Sequence, residues 1–219
     1  MFKNRMEAGS QLAKELLPYK HKSLVVLAIP RGGLPVAAIV ANTLNAPLDI
    51  VLTKKIGHPF QKEYAIGAVG LDDTFFLDTV TIPQEYIDAE TTRIRKILKA
   101  RHERYHKHRP PGNLKNKTVI IVDDGIATGN TLLATIAMVK KQCPAKIIVA
   151  IPVAPSSGIQ LLKTNPNIDK VICLLTPINF RAVGQFYEDF PQVSDEEAIQ
   201  WLEQANTSRE IKPNTKRHI

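Results

Sequence analysis

The run Val119-Ile-Ile-Val-Asp-Asp-Gly-Ile-Ala-Thr-Gly-Asn-Thr131 constrains the fold of this chain more than any other stretch. Four apolar, β-forming residues lead into two carboxylates, a short Gly/Thr loop follows, and a helical pattern begins at Thr131. The pattern predicts a strand-loop-helix unit with acids at the strand tip and unpaired backbone N–H groups at the helix start. Such a helix start favours phosphate, because its first N–H groups have no internal partner and the helix dipole attracts negative charge. Two carboxylates repel a bare phosphate unless they hold sugar hydroxyls or a metal ion. The ligand this run predicts is therefore a sugar phosphate taken with a divalent cation.

The rest of the sequence sets that unit in a longer alternation. Met6 to Leu17 has helical spacing, and Leu24 to Ile29 is a continuous apolar run of the buried parallel-strand kind. Pro30-Arg31-Gly32-Gly33 forms a turn, a helix follows over about Leu34 to Leu44, and Leu48 to Thr53 reads as a second strand, which completes a βαβ unit. Ile66 to Val69 and Phe75 to Leu77 predict a hairpin around Leu71-Asp72-Asp73. These two acids are better explained as turn residues than as a second acid pair. A long polar helix runs from Pro83 to about His106 and is ended by Pro110-Pro111-Gly112. After the motif strand (Thr118 to Val122) and helix (Thr131 to Lys141) come Lys146 to Ile151, Pro155 to Lys163 and Val171 to Leu175, again strand, helix, strand. Ser194 with Glu197 three residues on predicts a capping box for a last helix, and Thr207 to Ile219 is polar and expected to fray. The alternation predicts an α/β fold, an open, mostly parallel sheet flanked by helices with an inserted hairpin and long helix. In such sheets ligands sit beyond the carboxyl ends of the strands, so the turns after Ile29, Thr53, Val122 and Leu175 are expected on one rim.

A length of 219 residues and an apolar share of 44% suit one domain with a sizeable core. No apolar run approaches the ~20 residues of a membrane span, and Met1 to Glu7 lacks an apolar targeting segment, so a cytoplasmic protein is expected. Cys143 and Cys173 suggest neither a disulfide framework nor a metal site. The net charge of +8 suits a polyanionic ligand and also RNA. Much of the excess is local, in Arg101, Arg104, Lys107 and Arg109 and in the tail at Lys212, Lys216 and Arg217. Charge runs are usually solvated faces, so RNA contact is the less favoured reading. The same holds for His102, His106 and His108, whose helical spacing hints at metal but whose neighbours are arginines and lysines.

The motif resembles the phosphoribosyl-diphosphate (PRPP) motif of type I phosphoribosyltransferases. More closely, the chain is similar to an uncharacterised subgroup of that family, through Ala28 to Ala37, Lys55 to Pro59, Ala65 to Val69, the motif itself and Phe180 to Phe190, a likeness that reaches to about Leu202. The resemblance implies that Asp123 and Asp124 hold the ribose hydroxyls and help bind Mg²⁺, partly through water. It implies that Gly125, Ala127, Thr128, Gly129, Asn130 and Thr131 belong to the loop that cradles the 5′-phosphate. Arg31, Gly32 and Gly33 match the loop that receives pyrophosphate. Lys55, which sits where relatives carry a basic residue near a mobile loop (here expected within residues 57–64), is expected to join Arg31 on the pyrophosphate. Asp123, Asp124, Arg31 and Lys55 are the implied catalytic set. The implied layout is one phosphoribosyltransferase-like domain over residues 1–205, with an insertion at about 57–112, a C-terminal hood at about 177–205, and a flexible tail at 206–219. A homodimer is the family expectation.

Each assignment has a plainer rival. Two acids can cap a helix, but that does not account for acids at a strand tip followed by Thr-Gly-Asn-Thr. The loop lacks the Gly-Lys-Ser/Thr of a Walker A motif, and no G-x-G-x-x-G is present. A Gly-Gly turn or a lysine pair is weak evidence alone, and Lys55 is as readily a surface residue as a ligand contact. Phe180, Phe186, Tyr187 and Phe190 are either core packing for the last helix or a wall against the acceptor, with Phe180, Phe186 and Tyr187 as candidate acceptor contacts. Purine enzymes acting on hypoxanthine or guanine carry an aspartate where this chain has Ala127, which argues against that class. The expected reaction is transfer of phosphoribosyl from Mg-PRPP to an unidentified nitrogen acceptor, a base or another amine. The alternative is a PRPP-sensing regulator that binds RNA or a protein through its basic surface.

Overall fold

Leu24–Ala28 (β1) and Thr118–Val122 (β6) are buried along their whole length, and they lie side by side in parallel, Leu24 opposite Thr118 and Ala28 opposite Val122. The computed structural model describes residues 1–20, 22–62, 64–76, 82–106 and 112–210. Leu48–Ile50 (β2) pairs with the outer side of β1, while Lys146–Val153 (β7) and Lys170–Leu175 (β8) extend the sheet beyond β6. All four pairings are parallel and the strand order is β2-β1-β6-β7-β8. The chain leaves β1 toward one edge and returns at β6 toward the other. Strand order therefore reverses between β1 and β6, the kind of crevice where open α/β sheets take ligands.

Side-chain alternation sorts the two faces of the sheet. Val26, Ala28, Ile120, Val122 and Ile148 face a core shared with the helices Arg5–Leu16 (α1), Gly33–Leu44 (α2) and Asp195–Glu210 (α6). Val25, Leu27, Val119, Ile121 and Val149 face Asn130–Lys141 (α4) and Ser156–Lys163 (α5). Helix α1 packs closely on α2, where a side chain at Gly9 would sit 2.9 Å from the Val36 carbonyl oxygen. Among the described residues no helix is long and apolar enough to cross a membrane.

A second, antiparallel sheet of order β3-β4-β5 is formed by Lys54–Gly57 (β3), Ala65–Val69 (β4) and Thr74–Phe76 (β5). The predicted hairpin is its β4-β5 half, with Gly67 opposite Phe76. The outer strand β3 was not expected, because a Lys-Lys start hides an apolar pattern. The expected strand from Leu48 to Thr53 is correspondingly shorter: β2 stops at Ile50, and the chain re-forms as β3 in the other sheet. Gln84–His106 (α3) follows.

Helix α6 opens with the expected capping box. The Glu197 N–H donates to Ser194 Oγ at 3.1 Å and the Ser194 N–H to Glu197 Oε2 at 2.8 Å. The fraying expected from Thr207 is not seen through Glu210, where the chain is still part of α6; residues 211–219 lie outside the described residues. Asn206 explains part of this. Its side-chain oxygen accepts from the Leu48 N–H at 3.2 Å and its amide donates to the Leu48 carbonyl at 2.9 Å, so the helix is tied to backbone groups on the outer edge of β2.

Candidate functional site

The tips of β1 and β6 bring the two unusual turns together. The Ile29 N–H donates to the Val122 carbonyl at 2.9 Å, which sets Pro30-Arg31-Gly32 beside Asp123-Asp124. Glycine is required at this approach: a Cβ at Gly32 would lie 2.7 Å from Asp124 Cγ. The Gly33 N–H donates to the Ile29 carbonyl at 3.1 Å. Within the turn, and among the described residues, the N–H groups left for an anion are thus those of Arg31 and Gly32. Arg31, Gly32, Asp123 and Asp124 share one wall of a cavity of about 630 Å³.

Burial sets the electrostatics of the acid pair. It pushes the Asp123 carboxyl well above the usual range, and the neighbouring Asp124 charge adds to that. The Asp124 N–H donates to Asp123 Oδ1 at 2.9 Å, a smaller effect in the opposite direction. Asp124 is also raised by burial, and Arg5 works against that rise. Arg5 Nε donates to Asp124 Oδ2 at 2.8 Å, and the two side chains are only 8% and 13% exposed.

Arg5 is a site residue that the sequence analysis did not single out. Its guanidinium lies 3.7 Å from the centre of the Phe190 ring and donates from Nη1 to the Pro191 carbonyl at 2.8 Å. It therefore joins α1, the acid pair and the 177–205 segment at one point of the cavity wall. A signal did exist. The buried stripe of α1 runs Ala8, Gly9, Leu12, Ala13, Leu16, and one helical turn earlier it reaches Arg5. An arginine on the apolar stripe of a short helix calls for a buried acid, and Asp124 is that acid.

The aromatic segment divides into core and wall. Tyr187 is 5% exposed, tilts against Phe2, stacks on Phe190 at 4.7 Å, and donates its hydroxyl to the Asp124 carbonyl at 2.6 Å. Burial raises its pKa, with the acid pair adding to the rise. Phe180 and Phe186 stack on each other at 5.5 Å within the same cluster. The Phe2 N–H donates to the Phe186 carbonyl and the Glu188 N–H to the Phe2 carbonyl, each at 2.8 Å, so the N-terminus is threaded into this segment. None of the three rings expected as acceptor contacts lines the large cavity. Phe190 does, with Val183, Pro191, Gln192 and Val193. Tyr187 is thus placed as a packing and tethering residue, and Phe190 is the ring of this segment that lines the cavity.

The Thr-Gly-Asn-Thr loop lines a second cavity of about 230 Å³, walled by Thr128, Asn130 and Thr131 on one side and by Thr53, Lys55 and Gly67 on the other. Gly129 caps α4 with φ 77°, a left-handed conformation that favours glycine. Among the described residues the N–H groups of residues 127–131 meet no backbone acceptor. Lys55, expected beside Arg31, faces this cavity instead.

The basic end of α3 is not simply a solvated face. His106 is 9% exposed; its Nε2 lies 2.6 Å from Asp49 Oδ1 and its Nδ1 lies 3.2 Å from the His102 carbonyl. Arg101 Nη2 donates to Asp195 Oδ1 at 2.8 Å, Arg104 pairs with Asp195 and Glu196, and the Tyr105 hydroxyl also donates to Asp195. Burial and that hydrogen bond push Tyr105 up to about 12. Arg101 also reaches the large cavity. Lys107, His108 and Arg109 lie outside the described residues, as does the tail from residue 211 onward. Among those described, no group of three or more His, Cys, Asp or Glu side chains is placed to hold a metal ion.

Comparison with known proteins agrees with this geometry. The family model of the phosphoribosyl transferase domain matches residues 2–190. A Mycobacterium tuberculosis (strain H37Rv) protein, named as a phosphoribosyl transferase by inference, is 38% identical over 211 residues, which is 94% of this chain and 47% of the relative. The chain thus spans about half the length of that relative. The crystal structure of TT1426 from Thermus thermophilus superposes with a TM-score of 0.84 at 38% identity, covering 93% of this chain and 98% of that one. A uracil phosphoribosyltransferase of Mycoplasma genitalium is 39% identical over 66 residues, 30% of this chain and 32% of the relative. With its parallel sheet, its acid pair at the β1–β6 crevice and a family match over most of its length, the chain belongs to the phosphoribosyl transferase domain family.

Proposed function

We propose that the chain is a phosphoribosyltransferase that uses Mg-PRPP, joins an acceptor nitrogen to ribose C1 and releases pyrophosphate. The observation that carries the reading is the approach of the Arg31-Gly32 turn to Asp123 and Asp124 on one cavity wall, where Gly32 leaves no room for a side chain beside Asp124. In the reaction the ribose ring gains positive character as the bond from C1 to the pyrophosphate oxygen breaks, and the leaving group gains negative charge. Asp123 and Asp124 hold the ribose hydroxyls and favour the cationic ring. The side chain of Arg31 and the free N–H groups of Arg31 and Gly32 receive the pyrophosphate. The loop from Gly125 to Thr131 holds the 5′-phosphate on its N–H groups and hydroxyls. The acceptor enters between the acid pair and Phe190 and Gln192.

The donor set suits Mg²⁺. Two adjacent carboxylates supply only oxygen, and Mg²⁺ keeps several waters and takes further oxygens from substrate phosphates. Asp123 and Asp124 would hold it, directly or through water, and its charge would stabilise both the crowded acid pair and the departing pyrophosphate.

In this reading residues 1–205 act as one domain, residues 57–112 are an insertion that borders the site, and residues 177–205 form the hood. The protein works in the cytoplasm, as a homodimer. The alternative is a PRPP-sensing regulator that binds RNA or a protein partner through its basic surface. Arg101 and Arg104 are already engaged by Asp195 and Glu196.

Calorimetric titration of PRPP with and without Mg²⁺ tests the reading. Magnesium-dependent binding is expected for the wild type, with turnover lowered about a hundredfold or more in Asp124→Asn, the scale for losing one electrostatic partner of a transition state. Absence of binding, or unchanged binding and turnover in a protein carrying both Asp123→Asn and Asp124→Asn, would sink it.

A further inference from the structure

We infer that Lys55 serves the 5′-phosphate of the donor and not its pyrophosphate, so that the antiparallel sheet forms half of the phosphate pocket. The inference rests on the proposed phosphoribosyltransferase reading. Its basis is the division of the site into two cavities whose linings share no residue: Arg31, Gly32 and the acid pair line one, and Lys55 with Thr128, Asn130 and Thr131 lines the other.

The placement of Lys55 is determined by packing on both sides of it. Strand alternation sends Ile56 into the main core, where it is fully buried, and turns Lys55 to the opposite face of β3. On that face the cross-strand partner of Lys55 is Ala68. Ala68 packs with Ala134 and Met138 of α4, the first of these one turn beyond Thr131. Two residues before Lys55, the Thr53 hydroxyl lies 2.9 Å from the Thr135 hydroxyl, which itself donates to the Thr131 carbonyl at 2.9 Å. A hydroxyl has one proton, so Thr53 is the donor to Thr135, and the lead-in to β3 is hydrogen-bonded to the first turns of α4. Small residues at Gly67, Ala68 and Ala134 leave the space that the cavity occupies. An anion in that space meets the open N–H groups of the loop on one side and Lys55 of β3 on the other. A compact ammonium on a flexible stem suits a tetrahedral phosphate as a point charge.

The test separates the two halves of the donor. Ribose 5-phosphate and Mg-pyrophosphate are titrated separately into wild type, Lys55→Met, Lys55→Arg and Arg31→Gln. Lys55→Met keeps the aliphatic stem and is expected to bind ribose 5-phosphate about tenfold to a hundredfold more weakly, the range for a hydrogen bond to a charged group, with pyrophosphate affinity unchanged. Lys55→Arg is expected to recover part of the loss, and Arg31→Gln to show the reverse pattern. Lys55→Met that weakens pyrophosphate alone, both ligands equally, or neither would overturn the inference. Wild type that takes up neither ligand would overturn it together with the phosphoribosyltransferase reading, an outcome distinct from the other three.

Discussion

The Thr-Gly-Asn-Thr loop, proposed here to take the 5′-phosphate, and the C-terminal segment that walls the large cavity are built in opposite ways. The loop is contiguous: strand, acids, glycine and helix start follow one another within residues 119–131, and local backbone geometry produces the site. The C-terminal segment is assembled from distant parts. Arg5 reaches Asp124 over 119 positions and Pro191 over 186, and Tyr187 reaches Asp124 over 63. Chemistry that depends on backbone N–H groups is compact in sequence because consecutive residues supply them. Control of a buried carboxylate is not, because the compensating cation must come from whichever element packs above it. The acid pair sits at the junction of the two regions and depends on both.

The largest effect expected from breaking that junction is on stability. Arg5→Met removes the cation but keeps an apolar stem against Phe190, and it leaves Asp124 buried with its charge uncompensated. Loss of one partner of a buried ion pair costs about 3–5 kcal/mol. At roughly 2–4 °C per kcal/mol for a protein of this size, the midpoint of thermal unfolding is expected to fall by about 6 °C or more. Asp124→Asn in the same protein removes the stranded charge and should restore part of the loss, giving a coupling above about 1 kcal/mol in a double-mutant cycle. Additive losses in that cycle would show that Arg5 acts through Phe190 and Pro191 and not through the acid.

A smaller effect is expected at Tyr187. Tyr187→Phe leaves the ring stacked between Phe2 and Phe190 and deletes one hydroxyl, so the Asp124 carbonyl loses its donor. The cost is about 1–2 kcal/mol, the penalty of one buried group left unpaired, measured as a lower urea midpoint with unchanged slope. The same variant sharpens the division between core and wall. A rise in acceptor KM with stability intact would return Tyr187 to the acceptor side, one of the two readings its sequence context allows.

What is legible in the sequence follows the same division. β1, β6 and β7 are apolar runs and can be read directly, as can the capping box at Ser194 and the placing of the Arg31 turn and Asp123 on one rim; that these two turns are neighbours follows from the pairing of β1 with β6, which only the fold reveals. β3 is not legible, because Lys54 is exposed and Lys55 half-buried, a pattern that becomes clear only against β4. Lys55 groups with Arg31 in sequence because both follow strands at one rim; the sheet that carries it packs on α4 and turns it toward the phosphate loop. His106 reads as solvated from its charged neighbours in sequence, yet its neighbours in space are Asp49 of β2 and the backbone of α3. Arg5 is legible in principle, as a charge on the buried stripe of α1, but nothing local names its partner.

The pair His106–Asp49 offers the mildest test of the comparison, since it is a long-range ion pair away from the acid pair and should affect stability alone. Burial works against the charge on His106, but the Asp49 carboxylate outweighs it and the imidazole is held above its ordinary value. Burial likewise opposes the charge on Asp49, and the hydrogen bonds from His106 and the Gly112 N–H outweigh it and hold that carboxyl below its ordinary value. The sign follows for each group. The raised His106 contributes stability that is complete below pH ~6.5 and is lost as pH rises through its folded value; the lowered Asp49 contributes stability that is complete above pH ~3.9 and is lost as pH falls through its folded value. The pair is therefore at full strength between about pH 4 and pH 6.5. His102, whose ring centre lies 4.1 Å from that of His106, runs the other way: burial and the His106 charge lower it, so its contribution is lost on acidification. In a His102→Gln background, His106→Gln is expected to lower stability by about 1 kcal/mol at about pH 6, the scale of one hydrogen-bonded pair, with the difference shrinking toward about pH 9. Magnesium-dependent PRPP binding should be the same in both proteins under the more acidic condition. A change in that affinity would mean that the edge strand β2 and the acid pair are coupled, and the separation between structural and site pairs would fail.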